Sequence, residues 1–326
     1  MSFFSVDFLG QPLWMWLGFL VFVLALLVMD LWLFSRGDQT VTVSKSLRLS
    51  CFYFAMSLAF AGFVWWRMGA SAATLYLTGY VVEESLSLDN IFVIALIFGY
   101  FQIPPHLQRR ALVFGIIGVV ILRGLMIGLG TALVDRFHVV LYLFALFLVV
   151  SGIRMMFSGD DDYDIAANPV LRFLQKHLPI VPDLHGDRFF VRLPRQKDGA
   201  SAKGKHIWYA TPLFLALVMV ELADVIFAVD SVPAIFSITT EPYLVFTSNI
   251  AAILGLRALY FALAAMMERF YLLKYALSAV LVFIGGKIIA VDMLGLGQVP
   301  PLASLVITLA ILSAGVIASL SKTRSD

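Results

Sequence analysis

Six acids and one amide lie in two stretches, residues 75–101 and 209–236, that are otherwise apolar enough to cross a membrane. They are Glu83, Glu84, Asp89, Asn90, Glu221, Asp224 and Asp230. A charged side chain at the centre of a bilayer is costly, so such residues usually mark an ion pathway. Buried carboxylates without a counter-charge take up a proton or a cation. Carboxylate and amide oxygens suit hard ions, so the sequence predicts a site for Mn²⁺, Mg²⁺ or Ca²⁺ within the membrane.

Two arginines accompany these acids inside apolar segments. Arg123 follows Asp89 by 34 residues, and Arg257 follows Asp224 by 33 residues. Because a bound cation would repel a guanidinium group, we expect both arginines to be structural counter-ions and not ligands. Each arginine should then lie within hydrogen-bonding reach of one of the acids.

A proline in the second stretch predicts a break in its helix. Pro233 has no backbone N–H, so the carbonyl of Val229 loses its usual helical donor. A break there would free a carbonyl as a ligand and reorient Asp230. We therefore expect a discontinuous helix at residues 230–233, with Pro233 as the hinge.

The composition excludes several classes of protein. Of the 326 residues, 61% are hydrophobic and only 13% are charged, whereas a soluble domain has about a quarter of its residues charged. This indicates an all-α polytopic membrane protein that forms a single transmembrane domain over residues 1–326. The net charge of +2 is too small to suggest a nucleic-acid partner. With Cys51 as the one cysteine, the chain can form neither an intramolecular disulfide nor a thiolate metal cluster.

Apolar runs of about 20 residues predict about nine transmembrane helices. They cover residues 11–34, 47–66, 75–101, 111–134, 138–157, 209–236, 244–266, 273–293 and 301–320. Most of the 23 lysines and arginines fall on alternate connections. By the positive-inside rule, this bias predicts a multi-pass inner-membrane (plasma-membrane) protein with its N-terminus outside and its C-terminus in the cytoplasm. The long connection 158–208, with an acidic run at its start, is expected to be a solvated cytoplasmic loop.

The acid-bearing stretches begin two similar three-helix units, residues 75–157 and 209–293. Each unit has an acid helix, then an arginine helix, then a helix with a glycine and a base near its end, at Gly152 and Arg154 or at Gly286 and Lys287. Because three helices are an odd number, the second unit would be inverted relative to the first. A 3+3 inverted repeat with polar residues at its interface is typical of transporters that work by alternating access.

Two motifs carry a resemblance to a known family. Residues 83–92 read EESLSLDNIF, and residues 221–236 read ELADVIFAVDSVPAIF. With the segments 247–249 and 253–260, they strongly resemble the TerC family, and most closely its Alx-type branch. The resemblance extends over about residues 12–320. Many members have a lysine where this chain has Glu84, so the first motif is more negative here.

The resemblance implies an inner-membrane protein of the LysE-like transporter superfamily with manganese export as its activity. By motif position it implicates five acids in metal handling, namely Glu83, Asp89, Glu221, Asp224 and Asp230. We expect these acids to converge near the middle of the membrane. Protons compete with a metal for carboxylates, so transport is expected to strengthen as the pH rises on the loading side.

Two other functions remain open at this point. The first is a membrane-protein assembly or scaffolding factor without transport activity, a role also associated with TerC-like proteins. The second is an intramembrane aspartyl protease, in which two aspartates share a proton. The Gly-x-Gly-Asp signature of such proteases is absent from the sequence, so we do not expect an enzyme. The predicted partners are therefore a divalent cation, protons and the lipid bilayer.

Overall fold

The structure, a computed structural model, describes residues 6–34, 43–137, 139–157, 165, 168–197, 200–264, 273–293 and 299–322. Eleven helices fall in these ranges: α1 Leu13–Phe34, α2 Val43–Met68, α3 Ala70–Leu86, α4 Leu88–Tyr100, α5 Pro105–Arg136, α6 Val139–Phe157, α7 Pro169–His177, α8 Pro212–Phe236, α9 Pro242–Ala264, α10 Leu273–Ile288 and α11 Pro301–Lys322. A π-helical turn, Ile289–Met293, extends α10. Two short antiparallel hairpins pair β1 Asp7–Phe8 with β2 Gln11–Pro12, and β3 Phe190–Lys197 with β4 Ala200–Ala210.

The predicted class, an all-α polytopic membrane protein, is confirmed. Seven of the described helices are long and apolar enough to cross a membrane: α2, α5, α6, α8, α9, α10 and α11. α1 has a shorter apolar segment over Leu13–Met29. α9 is the most enclosed of the seven, because α2, α3 and α5 all pack against it. Large apolar side chains of the outer helices, such as Ile121 and Leu129 of α5, are exposed as expected of lipid-facing positions.

The third predicted span, which is long enough to bend or unwind, divides into α3 and α4 at Ser87. The Ser87 hydroxyl donates to the Glu83 carboxylate at 3.3 Å. The backbone N–H of Asn90 donates to the backbone carbonyl of Ser87 at 3.1 Å, a spacing of three residues. Local side-chain bonds and a tightened turn therefore compete with the regular four-residue helical ladder at this point.

The break predicted at residues 230–233 is absent, since α8 continues through Pro233 to Phe236. Pro233 lacks the N–H that would bond the Val229 carbonyl, but α8 ends at Phe236, so less than one turn of helix follows it. The helix then ends on local bonds: the Ser237 amide donates to the Pro233 carbonyl at 3.0 Å, and the Ser237 hydroxyl donates to the Ala234 carbonyl at 2.6 Å. Its last residues, Ala234 to Phe236, are buried in the bundle.

The connection between α6 and α8 is more ordered than the predicted loop. From residue 168 onward it contains α7 and the β3–β4 hairpin, and β4 extends to Ala210, so α8 begins three residues later than predicted. An ion pair between Arg110 and Asp187 and an edge-on contact between Phe114 and Phe189 hold this segment against α5. The acidic run at residues 160–164 lies outside the described residues.

α6 and α10 cross antiparallel with their backbones close together. A Cβ atom at Gly152 of α6 would lie 2.8 Å from the carbonyl oxygen of Ser278. A Cβ atom at Gly285 of α10 would lie 2.5 Å from the carbonyl oxygen of Ala145. The two glycines thus allow close approach at both ends of one crossing.

Candidate metal centre

Arg123 of α5 lies at the centre of a polar cluster within the bundle. Its side chain is 1% exposed, and its Nη1 atom donates to three acceptors from three other helices. These are Oε1 of Glu83 on α3 at 2.7 Å, Oγ of Ser231 on α8 at 2.7 Å, and Oδ1 of Asn249 on α9 at 3.1 Å. One guanidinium group therefore joins four helices.

A second carboxylate reaches the same guanidinium. Asp224 of α8 accepts from Nε of Arg123 at 3.4 Å and from Nη2 at 3.5 Å. Arg123 thus carries one positive charge against the two carboxylates of Glu83 and Asp224. The formal charge of these three side chains is therefore −1, which is the imbalance that a proton or a cation would remove.

A cavity of about 380 Å³ adjoins the cluster, and its wall combines polar and apolar side chains. Its polar lining residues are Glu83, Ser87, Asn90, Arg123, Ser151, Arg154 and Ser231. Within the described part of the chain, Oε2 of Glu83 and Oδ1 of Asn90 are buried and accept no hydrogen bond. Leaving a buried acceptor unpaired is costly, so these two oxygens favour a donor or a cation as a partner.

The second predicted counter-ion makes a looser pair. Nη2 of Arg257 lies 4.0 Å from Oε1 of Glu221, which is an ion pair that exceeds hydrogen-bonding distance. A hydrogen bond from Arg257 to an acid of the repeats stays a prediction, because the side chains of Asp89 and Asp230 are outside the described part of the structure. A Cβ atom at Gly115 of α5 would lie 3.0 Å from Nη1 of Arg257. One at Gly118, a turn later, would lie 2.9 Å from Cδ of Glu221. The two glycines of α5 therefore make room for this ion pair.

The structure brings some of the predicted site residues together and separates others. Glu83 and Asp224 share Arg123, and Asn90 lines the same cavity, whereas Glu221 pairs with Arg257. Asp89 lies on α4 and Asp230 on α8, but their side chains are outside the described part of the structure. No three His, Cys, Asp or Glu side chains among those described are grouped closely enough to hold a metal ion. Convergence of all five acids therefore stays a prediction.

Sequence reasoning missed the glycines that surround the centre. Gly115 and Gly118 lie in an apolar helix where glycine gives no functional signal of its own. Gly255 of α9 has a similar role, because a Cβ atom there would lie 3.1 Å from Oε2 of Glu84. Only the position of a neighbouring helix identifies such residues, since each leaves space for a carboxylate carried by another segment.

Replacing Gly118 with alanine should displace Glu221 while leaving the fold intact. The new methyl group would meet the end of a flexible side chain, which can turn aside, and not a fixed backbone atom. If the protein transports a cation and Glu221 binds it on the way, transport should fall severalfold with little change in thermal stability. The control is Gly128→Ala on the same helix, where nothing lies within 4 Å of the added atom. Equal transport by the two variants would contradict a role for the Glu221 position.

Comparison with known proteins assigns this helical bundle to a family. The model of the TerC family of integral membrane proteins matches residues 68–326. The chain is 44% identical over 292 residues to Alx of Escherichia coli (strain K12), covering 87% of each chain. It is also 44% identical over 292 residues to Alx of Photorhabdus laumondii, covering 87% of this chain and 88% of that one. Both relatives carry the provisional description "membrane-bound redox modulator".

A further relative comes from Myxococcus xanthus, where a membrane protein is 39% identical over 315 residues, covering 97% of this chain and 94% of the other. No solved structure matches the chain. The family match covers most of the sequence, including every described residue of the Arg123 cluster. The chain therefore belongs to the TerC family of integral membrane proteins.

Proposed function

We propose that the protein exports a hard divalent cation, foremost Mn²⁺, across the inner membrane by alternating access. One observation carries this proposal: Glu83 and Asn90 both line the cavity beside Arg123, and Oε2 of Glu83 and Oδ1 of Asn90 are buried and accept no hydrogen bond within the described part of the chain. Oxygen ligands of this kind favour Mn²⁺, Mg²⁺ and Ca²⁺ over soft metals. The choice of Mn²⁺ among these ions follows from the resemblance described above and is part of the proposal.

Charge balance suggests how a cation would enter the cluster. Without an ion, Arg123 holds Glu83 and Asp224 together and prevents both carboxylates from being buried without a counter-charge. An arriving divalent cation brings two positive charges and would replace the guanidinium as partner of these acids. Arg123 can keep its bonds to the neutral acceptors Ser231 and Asn249 during this exchange.

Reciprocal contacts between helices support the inverted repeat that alternating access would use. Arg123 of α5 bonds Asn249 of α9, and Arg257 of α9 lies against Gly115 of α5. Adding 134 converts position 115 to 249 and position 123 to 257. The contact of Arg123 with position 249 is therefore equivalent to the contact of Arg257 with position 115. Such an exchange of equivalent contacts is what an approximate two-fold axis between α5 and α9 produces.

The α6–α10 crossing supports the same symmetry. Adding 133 converts the α6 positions 145 and 152 to the α10 positions 278 and 285. The contact of Gly152 with Ser278 is therefore equivalent to the contact of Gly285 with Ala145. The same offset relates Arg154 to Lys287. We propose that residues 75–157 and 209–293 are inverted repeats that rock against each other at this crossing.

Protons are the proposed competitors for the cation. The ligands must lose their protons to bind a metal, so loading would weaken as the pH falls on the cytoplasmic side. The relatives' description as redox modulators does not require a different site. A dithiol centre needs two cysteines, and this chain has Cys51 alone.

Asp224→Asn should abolish manganese efflux and leave a folded protein. The substitution keeps the size of the side chain but removes one of the two carboxylates that share Arg123, so the excess negative charge of the cluster is lost. The measurement is intracellular manganese over time in cells expressing each variant after a manganese load. Counterflow of radioactive manganese in proteoliposomes tests the same variant without other transporters.

The matched control is Asp187→Asn, which removes an exposed carboxylate from the ion pair with Arg110 outside the membrane helices. It should clear manganese at the wild-type rate. If Asp224→Asn also clears manganese at that rate, the acid cluster is not the transport site. The assembly-factor function would then become the leading hypothesis, and loss of other membrane proteins in cells lacking this chain would be the measurement to make.

A further inference from the structure

The cavity beside Arg123 extends toward one end of the bundle. Its deep part is lined by Glu83 and Arg123, whose side chains are 0% and 1% exposed. Its other part is lined by Ser151 and Arg154 in the last two turns of α6, where Arg154 is exposed. The cavity therefore connects the Arg123 cluster with the end of the bundle at which α6 ends, and the positive-inside rule predicts that this end is cytoplasmic.

A compact apolar cluster lies on the other side of the Arg123 cluster. Its six members come from four helices, and each is at most 3% exposed. They are Val82 of α3, Leu148 of α6, Ala234 of α8, and Val280, Leu281 and Ile284 of α10. We call these six residues the apolar plug. Because Val82 directly precedes Glu83, and because Leu281 also lines the cavity, the plug forms the floor of the cavity.

The direction of each helix shows which side of the cavity the plug occupies. Leu148 comes three residues before Ser151 along α6, and Ala234 comes three residues after Ser231 along α8. α10 runs antiparallel to α6, and its plug residue Ile284 comes three residues after Leu281. In the predicted topology α8 and α10 begin in the cytoplasm and α6 begins outside, so all three displacements point away from the cytoplasm.

The proposed inverted repeat relates the plug to the cavity. Adding 133 converts position 148 to 281 and position 151 to 284. Leu148 and Leu281 pack in the same cluster, but the equivalent residues Ser151 and Ile284 have opposite surroundings. Ser151 lines the cavity, whereas Ile284 is 2% exposed within the plug. One half of the α6–α10 crossing is therefore open and the other packed, which is the asymmetry expected when one of two alternating openings is closed.

An apolar layer of this kind stops an ion. All six side chains of the plug are hydrocarbons, so none of them offers an oxygen to a cation that leaves its water ligands. Moving a charge into such a layer is costly, and hydrophobic constrictions in ion pathways close by excluding water. A cation beside Glu83 can therefore leave toward the cavity, but it can leave in the other direction only after the plug residues separate.

We propose that the apolar plug is the outer gate of the ion path, and that the structure is the state in which the Arg123 cluster is open toward the end of α6. This inference rests on the proposed cation transport. Opening the gate requires Leu148 of α6 to move away from Ile284 of α10, at the same crossing about which the two repeats are proposed to rock.

The test is the reaction of single cysteines with a charged, membrane-impermeant methanethiosulfonate in a Cys51→Ser background. Ser151→Cys reports on the cavity, and Ile284→Cys and Leu148→Cys report on the plug. The reagent is added to either side of the membrane in sealed vesicles of known orientation, without metal. From the side at which α6 ends, Ser151→Cys should react at least about tenfold faster than either plug cysteine reacts from any side, because a thiol shielded from water forms little reactive thiolate.

The matched control is Val150→Cys, since Val150 is exposed beside Ser151 on α6 but does not line the cavity. A thiol that faces lipid should react as slowly as the plug cysteines. Equal rates at positions 150 and 151, or no reaction of Ser151→Cys from the side at which α6 ends, would overturn the open side. Rapid reaction of both plug cysteines without metal would overturn the gate.

Manganese distinguishes failure of this inference from failure of the proposed function. With Mn²⁺ on both sides, Ile284→Cys should react severalfold faster from the side opposite to the cavity, because a bound ion allows the protein to change state. Adding Asp224→Asn should abolish this increase. If the pattern without metal is as expected and Mn²⁺ changes none of the rates, the result supports the closed plug and contradicts the proposed transport.

Discussion

Arg123→Ala should sharply reduce the amount of folded protein. The substitution leaves Glu83 and Asp224 as two neighbouring carboxylates without their shared cation, and Ser231 and Asn249 lose the same donor. Removing one partner of a buried ion pair typically costs about 3–5 kcal/mol, a large part of the total stability of about 5–15 kcal/mol typical of folded proteins. The measurement is the folded fraction after detergent extraction, by size-exclusion chromatography, together with the midpoint of thermal unfolding.

Arg257→Ala is the matched comparison for this experiment. It also removes an arginine from the bundle and should lower stability, but by less, because Arg257 faces Glu221 at 4.0 Å and is partly exposed. Arg123→Lys should fall between Arg123→Ala and wild type, since lysine keeps the charge but cannot reach four acceptors with one planar group. Wild-type yield and unfolding midpoint in Arg123→Ala would disprove the role of Arg123 as a structural counter-ion.

Gly285→Ala should separate α6 from α10 and destabilise the bundle. The added Cβ atom would lie 2.5 Å from the carbonyl oxygen of Ala145 and 2.9 Å from Cγ2 of Val149. A backbone carbonyl cannot turn aside as a flexible side chain can, so the two helices must move apart. Overpacking of this kind typically costs about 1–3 kcal/mol. The measurement is the thermal unfolding midpoint in detergent, with the proposed manganese efflux as a second readout.

The neighbouring Gly286→Ala is the control, since nothing lies within 4 Å of its added atom. It should be neutral or slightly stabilising, because alanine is favoured over glycine inside a helix by about 1 kcal/mol. Gly152→Ala should resemble Gly285→Ala, and the double variant should cost less than the sum of the two. Once the helices have separated for one methyl group, the second meets less resistance. A loss in Gly286→Ala equal to that in Gly285→Ala would contradict close packing as the cause.

The membrane class and most helices follow from the sequence because they depend on composition along short stretches. A run of about 20 apolar residues must be helical in lipid to satisfy its backbone, whatever it packs against. The same reasoning located the acids and arginines of the centre, since a charge within such a run needs a partner. Predicting that Arg123 has an acidic partner therefore required only its position in an apolar segment.

Helix breaks were harder to place, because they depend on which hydrogen bonds compete locally. A proline marks a possible break, but Pro233 lies within one turn of the end of α8 and the helix accommodates it. The break at Ser87 arises from a side-chain bond to Glu83 and a three-residue backbone bond. The length of the third span allows it to bend or unwind, but serine and leucine at this point give no comparable sequence signal, so the position of the break was not predicted.

Only the tertiary structure decided how the charges are shared. The sequence placed an arginine at an equivalent position in each unit, yet Arg123 binds two carboxylates and Arg257 faces one at a longer distance. The difference arises from the residues that other helices bring to each guanidinium. Asn249 provides a hydrogen-bond acceptor beside Arg123, whereas the residue beside Arg257 is Gly115, which has no side chain. Local sequence determines which residues are charged and helical, but the approach of distant helices determines which charges meet, because that distance depends on packing along the whole crossing.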